Sequence, residues 1–553
     1  MGNQISNPST PHTLSLGPKG TLRGLQYANK AIRYAGIPYA LPPVGPHRWR
    51  KPRPLPDNHT YTQDDGQPFD ATFFRPVCPQ SSFSSSSFSS AEKSQGDGDA
   101  EEKYSEDCLR LNIWTPVSPP PEGKKYPVVL WLHGGWFQLG DPLQEVGMDP
   151  TELIFGGEGG GKLNAIVVGI GYRLNVFGFL AGGALREESG RVAAGNFGLW
   201  DQRLAIEWVR RNIAAFGGDK GDVVLGGRSA GAYGVHAQVL FEFLHSKRGG
   251  KEEQFFHRFY MYSNAIPAQP KTVEEADGQF EEVCGYFGIP EDISGEEKLE
   301  KLRGVPASDL VAALSHLKNH TFRPVTDDLF VFSGFAEYHT SGAFAEEFKR
   351  RGLKVLIGEV LNEETLYATY NSPEEANLEA LKVQVGNYYA PETVERILTA
   401  YELPSTERVE DWTVLFGSII ADGQVRAPSR WLVNSLHTHG VDLSDIWRYR
   451  IAYRLSFITD KVAPRAFGVS HAMDKPFWNY SIMHGPTDSE RVLMQGWIKG
   501  FVAFVNNDEK FDFGTREIDQ FKVATPEGKI EIQKDTRWKH LLELGDIFSG
   551  DGA

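Results

Sequence analysis

The stretch Gly227-Arg228-Ser229-Ala230-Gly231 predicts a serine in a sharp turn between a strand and a helix. The apolar residues 223–225 precede it, and residues 232–240 have a helix-compatible composition. A serine hydroxyl is a poor nucleophile at neutral pH and needs a neighbouring base and a strained, exposed position. The flanking glycines allow a tight turn and close packing of helix on strand. The pattern therefore indicates a nucleophilic Ser229, with an ordinary strand-to-helix turn as the alternative.

A second apolar run, residues 127–132, leads into His133-Gly134-Gly135-Trp136. Acyl transfer requires hydrogen-bond donors directed at the oxyanion that develops in the transition state. Loops of this form supply backbone N–H groups to that oxyanion in hydrolases with a Gly-x-Ser-x-Gly turn. The run thus predicts an oxyanion loop, and a plain glycine turn after a strand is the alternative.

Longer motifs resemble the type-B carboxylesterase/lipase family of the α/β-hydrolase fold, which also contains the cholinesterases. The similarity extends along nearly the whole chain. Its most specific segments are Gly36-Ile37-Pro38-Tyr39-Ala40, Ser105-Glu106-Asp107-Cys108-Leu109-Arg110-Leu111-Asn112, Tyr172-Arg173-Leu174-Asn175 and Gly195-Asn196-Phe197-Gly198-Leu199-Trp200-Asp201-Gln202. The resemblance implies one α/β-hydrolase domain over residues 1–553. It also implies ion pairs between Arg48 and Glu106 and between Arg173 and Asp201.

Alternation of apolar runs with helical stretches supports this α/β class. It predicts a central, mostly parallel sheet flanked by helices on both faces. The predicted strands are 127–132, 165–171, 222–227, 258–263, 354–359 and 445–452. The segments 265–345 and 365–440 are rich in helix formers. By resemblance they are helical insertions over the active site.

The resemblance places the rest of a catalytic triad in the order serine, acid, histidine. The strand that ends at Gly358 is followed by a loop in which Glu363 aligns with the catalytic acid; Glu364 is the alternative one residue later. The segment 467–474 resembles the family's histidine loop and selects His471 as the base, with His484 as the nearest rival.

The implied activity is carboxylic ester hydrolysis through an acyl-enzyme on Ser229. His471 acts as general base and acid, Glu363 orients it, and the N–H groups of Gly135, Trp136 and Ala230 hold the oxyanion. The substrate is expected to be an uncharged small or medium ester, and neither a metal nor an organic cofactor is required. A lipase-like esterase for longer acyl chains and a non-catalytic, cholinesterase-like binding protein are the alternatives.

Three departures from the family bear on the substrate. Arg228 stands where the family usually has glutamate, and the loop between Cys78 and Cys108 contains no tryptophan. Both features argue against a cationic choline ester, which is bound through an aromatic ring face. Trp136 replaces the last of three glycines in the oxyanion loop, so we expect it to narrow the range of acyl groups.

Composition limits the partners and the compartment. The formal net charge of −15 argues against nucleic acid as a partner. No apolar run is long enough for a transmembrane helix. The N-terminus has no apolar secretory core, which favours a cytoplasmic protein, and it matches the myristoylation pattern at Gly2, which would give a weak anchor. The sequence does not indicate an oligomeric state.

Cys78 and Cys108 oppose the cytoplasmic assignment. They occupy positions that resemble the family's first disulfide, which implies an oxidising compartment, whereas in the cytosol they would stay as thiols. Secretion is therefore the alternative. Between them, residues 81–104 form a serine-rich and then charged low-complexity insertion that we expect to be mobile. This insertion is either a lid near the active site or a surface segment without a role.

Overall fold

The computed structural model describes residues 8–81, 103–120, 122–145, 147–156, 162–247 and 252–550. Gly2 and nearly all of the 81–104 insertion lie outside these residues, so the predictions for both stay predictions.

The strands among the described residues are β1 (Ser9–Ser15), β2 (Thr21–Tyr27), β3 (Ala31–Pro38), β4 (Ala40–Leu41), β5 (Arg53–Pro54), β6 (Phe69–Asp70), β7 (Arg110–Pro116), β8 (Tyr126–Leu132), β9 (Ile166–Ile170), β10 (Gly218–Arg228), β11 (Arg258–Tyr262), β12 (Lys354–Val360), β13 (Ile446–Ile451), β14 (Gln520–Ala524) and β15 (Ile530–Lys534).

The α-helices are α1 (Thr151–Phe155), α2 (Asn175–Phe179), α3 (Gly183–Glu188), α4 (Phe197–Asn212), α5 (Ala230–Lys247), α6 (Val273–Tyr286), α7 (Gly295–Arg303), α8 (Ala307–Ala313), α9 (Phe335–Thr340), α10 (Ala343–Arg350), α11 (Glu364–Tyr367), α12 (Leu378–Gly386), α13 (Pro391–Leu398), α14 (Val409–Ala421), α15 (Ala427–Thr438), α16 (Lys475–Trp478), α17 (Asp488–Val505) and α18 (Trp538–Ser549). A π-helical turn, Asp422–Arg426, joins α14 to α15.

One large mixed sheet organises the molecule, and the predicted α/β-hydrolase fold is confirmed. Its order is β1-β2-β3-β7-β9-β8-β10-β11-β12-β13-β14-β15, with β6 beside β2. The run from β9 to β14 is parallel and contains all six predicted strands. Antiparallel strands, for which the sequence analysis made no prediction, extend both ends. The carboxyl ends of the parallel strands therefore share one edge, where ligands bind in open α/β sheets.

The central strands are buried on both faces. In β8, Val128, Leu130 and Leu132 pack into one hydrophobic cluster, whereas Val129 and Trp131 pack into another. This alternation follows from the two-residue period of a strand. Because helices cover both faces, the strands read as continuous apolar runs, which is why they could be predicted from sequence.

The two ion pairs implied by the resemblance are present. Arg48 binds Glu106 through two nitrogens, at 2.7 and 2.5 Å. Arg173 donates to both oxygens of Asp201 at 2.8 and 2.7 Å, and this pair is almost completely buried. Removing one partner of a buried pair leaves an uncompensated charge, so these pairs fix the packing of the loops that carry them.

Helices α6 to α15 occupy the two segments that were expected to be rich in helix. No helix in the described part of the chain is long and apolar enough to span a membrane. The same residues contain no cluster of three or more His, Cys, Asp or Glu side chains that could hold a metal ion.

Candidate active site

Ser229 lies in a strained turn at the carboxyl end of β10. Its φ of 53° is unusual for a residue with a side chain, and its N–H donates to the carbonyl of Tyr262 at 2.8 Å. A Cβ atom on Gly227 would lie 2.4 Å from the backbone of Gly231, so the two glycines permit the close crossing of strand and helix. The hydroxyl is thus presented at the start of α5, as the motif predicts.

Glu363 follows β12 and is completely buried. One carboxylate oxygen accepts hydrogen bonds from the N–H of Val360 at 2.8 Å and from the hydroxyl of Ser263 at 2.6 Å. The other lies 2.5 Å from Nδ1 of His471. The neighbouring Glu364 is directed elsewhere, because its carboxylate pairs with Arg426. Of the two glutamates considered, the structure brings Glu363 to the histidine.

The loops that carry Glu363 and His471 are fastened to each other. The N–H of Asn362 donates to the carbonyl of Val469 at 2.9 Å, and the Asn362 side-chain oxygen accepts from the Val469 N–H at 3.1 Å. His471 is therefore held against the acid by its backbone as well as by its ring. His484, the rival base, is exposed and stacks on Phe457.

Tyr367 is a close neighbour of both the base and the nucleophile. Its ring centroid lies 5.1 Å from that of His471. Burial raises the pKa of the Tyr367 hydroxyl well above its usual value, and the neighbouring Ser229 hydroxyl opposes that rise. Within the described part of the chain, no hydrogen bond joins Ser229 directly to His471, although such bonds often tighten only when a substrate is bound.

The glycine-rich loop after β8 runs directly against the serine. A Cβ atom on Gly134 would lie 3.0 Å from Cβ of Ser229. Among the described residues the N–H of Gly135 has no acceptor, and Ala230 begins α5, where helical N–H groups have no intrahelical partner. The loop and the helix start therefore present backbone donors around the nucleophile, as an oxyanion site requires.

Trp136 occupies a backbone conformation that favours glycine, with a φ of 57°. Its indole stacks on Tyr370, with ring centroids 4.2 Å apart, and meets Tyr367 edge-on at 6.3 Å. The side chain is only 8% exposed. The indole therefore packs in the hydrophobic cluster that contains Tyr367 and Tyr388.

Cys78 and Cys108 are buried free thiols, so the disulfide that the resemblance implies is absent from this structure. The proximity of Cys78 and burial raise the pKa of the Cys108 thiol well above its usual value. Burial therefore favours the neutral thiol of Cys108 over the reactive thiolate.

Sequence reasoning missed three side chains of this site. Ser263 supports Glu363, Tyr367 is a close neighbour of base and nucleophile, and Asp474 forms a buried ion pair with Arg228. Ser263 could have been found because it follows β11, at the edge of the sheet where the other functional loops begin. Tyr367 and Asp474 carried no comparable signal.

Comparison with known proteins identifies the family of this chain. The model of the carboxylesterase family matches residues 12–545. An uncharacterized esterase/lipase of Schizosaccharomyces pombe is 38% identical over 98% of this chain and 97% of its own length. A carboxylic ester hydrolase of Gibberella moniliformis is 34% identical over 97% of this chain and 96% of its own length. The para-nitrobenzyl esterase of Bacillus subtilis is 34% identical over 52% of this chain and 50% of its own length.

Proposed function

The chain belongs to the carboxylesterase family and is a carboxylic ester hydrolase, and we propose that it is a serine esterase working through an acyl-enzyme on Ser229. The observation that carries the proposal is the buried 2.5 Å contact between Nδ1 of His471 and Glu363. This contact leaves Nε2 available to act on the serine. A buried carboxylate in that position selects the tautomer and stabilises the imidazolium that forms during attack.

The reaction follows from these positions. The Ser229 oxygen attacks the ester carbonyl while His471 takes its proton, and the N–H groups of Gly135, Trp136 and Ala230 stabilise the oxyanion. Collapse breaks the bond to the alcohol, which leaves with the proton from His471. Water, deprotonated by His471, then attacks the acyl-enzyme, and release of the acid returns the proton to Ser229.

The surroundings of Ser229 favour esters that are not cationic. Arg228 is 3% exposed and paired with Asp474, so the position before the serine offers no carboxylate to a cation. The Trp136 indole, which follows Gly135 of the oxyanion loop, stacks on Tyr370, and this bulk supports a preference for small or medium acyl groups over long, lipase-type chains.

Labelling with a fluorophosphonate probe tests the assignment. We expect mass spectrometry to find the adduct on Ser229, and Ser229→Ala to abolish both labelling and hydrolysis of short esters. Ser489→Ala, which changes a serine at the exposed start of α17, is the matched control and should label normally. Absence of labelling in the folded protein would reject the proposal and favour the non-catalytic alternative.

A further inference from the structure

A polar pocket lies beside the nucleophile helix and is unexplained by the triad. Its cavity volume is about 30 Å³, enough for a group the size of a carboxylate rather than for a whole substrate. Tyr233 of α5 forms one wall, and Tyr388 and Gln424 form others. Two cationic side chains, Arg323 and Lys271, also line it, whereas none of its lining residues is Asp or Glu.

Arg323 is held in place but only partly satisfied. Its Nη2 donates to Oε1 of Gln424 at 2.8 Å. Its guanidinium carbon lies 5.1 Å from the ring centroid of Tyr388, 5.6 Å from that of Tyr233 and 6.0 Å from that of Phe137. Aromatic faces stabilise and orient an arginine but do not use its N–H donors. The guanidinium therefore keeps donors for a further acceptor.

No carboxylate neutralises Arg323 or Lys271 within ion-pair distance in the described part of the chain. Lys271 donates to the carbonyl of Gly386 at 2.7 Å, which uses one of its three N–H donors. Burial and the nearby Arg323 lower the pKa of Lys271, while Glu275 outside the pocket opposes this shift. Two half-buried cations that line one cavity without a paired carboxylate attract an anion.

Gln424 provides a second, independent pointer to a ligand. It lies in the π-helical turn Asp422–Arg426, and such turns occur frequently at functional sites. Its Nε2 donates to the Tyr389 hydroxyl at 2.8 Å, which fixes the Oε1 that receives Arg323. The irregular backbone thus positions the amide that orients the guanidinium.

The pocket adjoins the nucleophile through helix α5 and through the oxyanion loop. The N–H of Tyr233 donates to the carbonyl of Ser229 at 3.0 Å, so the pocket wall is one helical turn from the nucleophile. Phe137, which packs under Arg323, comes directly after Trp136 in the oxyanion loop. A group bound at Arg323 would therefore lie close to the nucleophile helix and to the oxyanion loop.

We propose that this pocket is an anion subsite and that the preferred substrates are esters whose acyl part carries a free carboxylate, such as monoesters of dicarboxylic acids. The inference rests on the proposed esterase function and replaces the uncharged ester that the sequence suggested. The carboxylate accepts hydrogen bonds from Arg323 and Lys271, and the ester carbonyl lies at Ser229. The pocket is therefore locally positive in a chain whose formal net charge is −15. An ester without a carboxylate would leave the two cations unpaired, which selects against it.

Matched substrates test the subsite in the full-length protein. Monoethyl adipate carries the acyl carboxylate, and ethyl adipamate replaces it with a neutral amide of the same size. Acetoxyacetate and acetoxyacetamide place the same contrast on the alcohol side. We expect kcat/KM to favour monoethyl adipate over its amide roughly ten- to hundredfold, the effect of one charge-assisted hydrogen-bond pair, and to show no such preference in the alcohol-side pair.

Variants of the two pocket cations test whether the preference for the carboxylate arises in this pocket. Arg323→Gln should lower the carboxylate-to-amide ratio about tenfold or more and weaken inhibition by free adipate to a similar extent, and Lys271→Met should lower the ratio less. Arg211→Gln removes an exposed cation elsewhere and should leave the ratio unchanged. If Arg323→Gln fails to fold, Lys271→Met and adipate inhibition of the parent protein give the answer.

The outcomes separate the two proposals. Hydrolysis of both adipate esters at equal rates, or equal losses for both in Arg323→Gln, overturns the anion subsite and leaves the esterase intact. A preference confined to the acetoxy pair overturns the acyl-side assignment. Hydrolysis of no ester, with Ser229 unlabelled, overturns the esterase and the subsite together.

Discussion

Arg228, which precedes the nucleophile, forms a buried ion pair with Asp474, three residues after His471. Nη1 of Arg228 also reaches the carbonyl of Ala472 at 3.4 Å, and Asp474 accepts a second bond from the Trp478 indole at 2.9 Å. The exposed fractions of the two charged side chains are 3% and 0%. The pair therefore ties the strand that ends at Ser229 to the loop that carries its base, and its charge is not offered to the substrate.

Breaking this pair should lower the stability of the protein. Arg228→Met leaves the Asp474 carboxylate buried without a counter-ion, so we expect the free energy of unfolding to fall by about 3–5 kcal/mol. The double variant Arg228→Met/Asp474→Asn should recover part of that loss. Denaturant unfolding measures Arg228→Met, Asp474→Asn and the double variant, and Arg516→Met, in an exposed pair with Asp512, is the control that should leave the midpoint unchanged. Strictly additive losses would show that the two residues do not interact.

The Glu363→Gln variant tests whether Glu363, and not the adjacent Glu364, is the acid that orients His471. An amide keeps the shape but does not stabilise the imidazolium, and it can hold the wrong tautomer, so kcat should fall about 1,000- to 10,000-fold. Glu364→Gln alters the adjacent residue, which pairs with Arg426, and should change kcat far less. Steady-state hydrolysis of a short ester measures both. Comparable losses in the two variants would remove Glu363 from its assigned role.

Trp136→Gly should broaden the acyl range. The variant removes the indole stacked on Tyr370 and relieves a left-handed backbone conformation that costs about 1–3 kcal/mol for a residue with a side chain. We expect kcat/KM for octanoyl esters to rise at least tenfold relative to acetyl esters. A series of nitrophenyl esters of increasing acyl length provides the measurement. An unchanged profile would show that Trp136 does not limit acyl size.

The sequence predicted the parts of this fold that depend on local pattern. All six predicted strands appear within a few residues of their expected ends, because strands buried on both faces are continuous apolar runs. The outer strands β1 and β15 are mostly exposed, and their pairing is determined by contacts with neighbours far along the chain. No local pattern of residues encodes that pairing.

The residues of the site likewise divide into those that sequence motifs or the family resemblance indicate and those that only the folded chain brings together. Ser229 and the glycine loop stand in short motifs, and Glu363 and His471 were placed by resemblance. Arg228 was noted only as a departure from the family's glutamate, and its ion pair could not be predicted because Asp474 lies 246 residues away in the chain. No sequence pattern indicated a role for Arg323, because its aromatic neighbours and the absence of carboxylates from its pocket arise only in the folded chain.

Two buried neutral histidines, His236 on the nucleophile helix and His339 packed against it, should make stability depend on pH. The N–H of Ile266 donates to Nδ1 of His236 at 3.2 Å, Nε2 of His236 lies 3.2 Å from Nε2 of His339, and Nδ1 of His339 lies 2.9 Å from the carbonyl of Phe335. This order of acceptors is consistent only with two neutral rings, assigned from the hydrogen-bond pattern. Burial lowers the pKa of His339 to about 4 and that of His236 well below its usual value.

The direction in which stability changes with pH follows from the protons that unfolding takes up. The unfolded chain protonates these histidines near their ordinary pKa while the folded chain keeps them neutral, so unfolding takes up protons as the pH falls below 6.5. The stabilisation is complete above that pH and is lost as the pH falls toward 4. His339 alone should remove about 2 kcal/mol between pH 7 and pH 5. His339→Phe should flatten this part of the pH profile in denaturant unfolding, whereas exposed His540→Phe should leave it as in the parent. A profile equally steep in both variants would mean that the buried pair is not the source of the acid sensitivity.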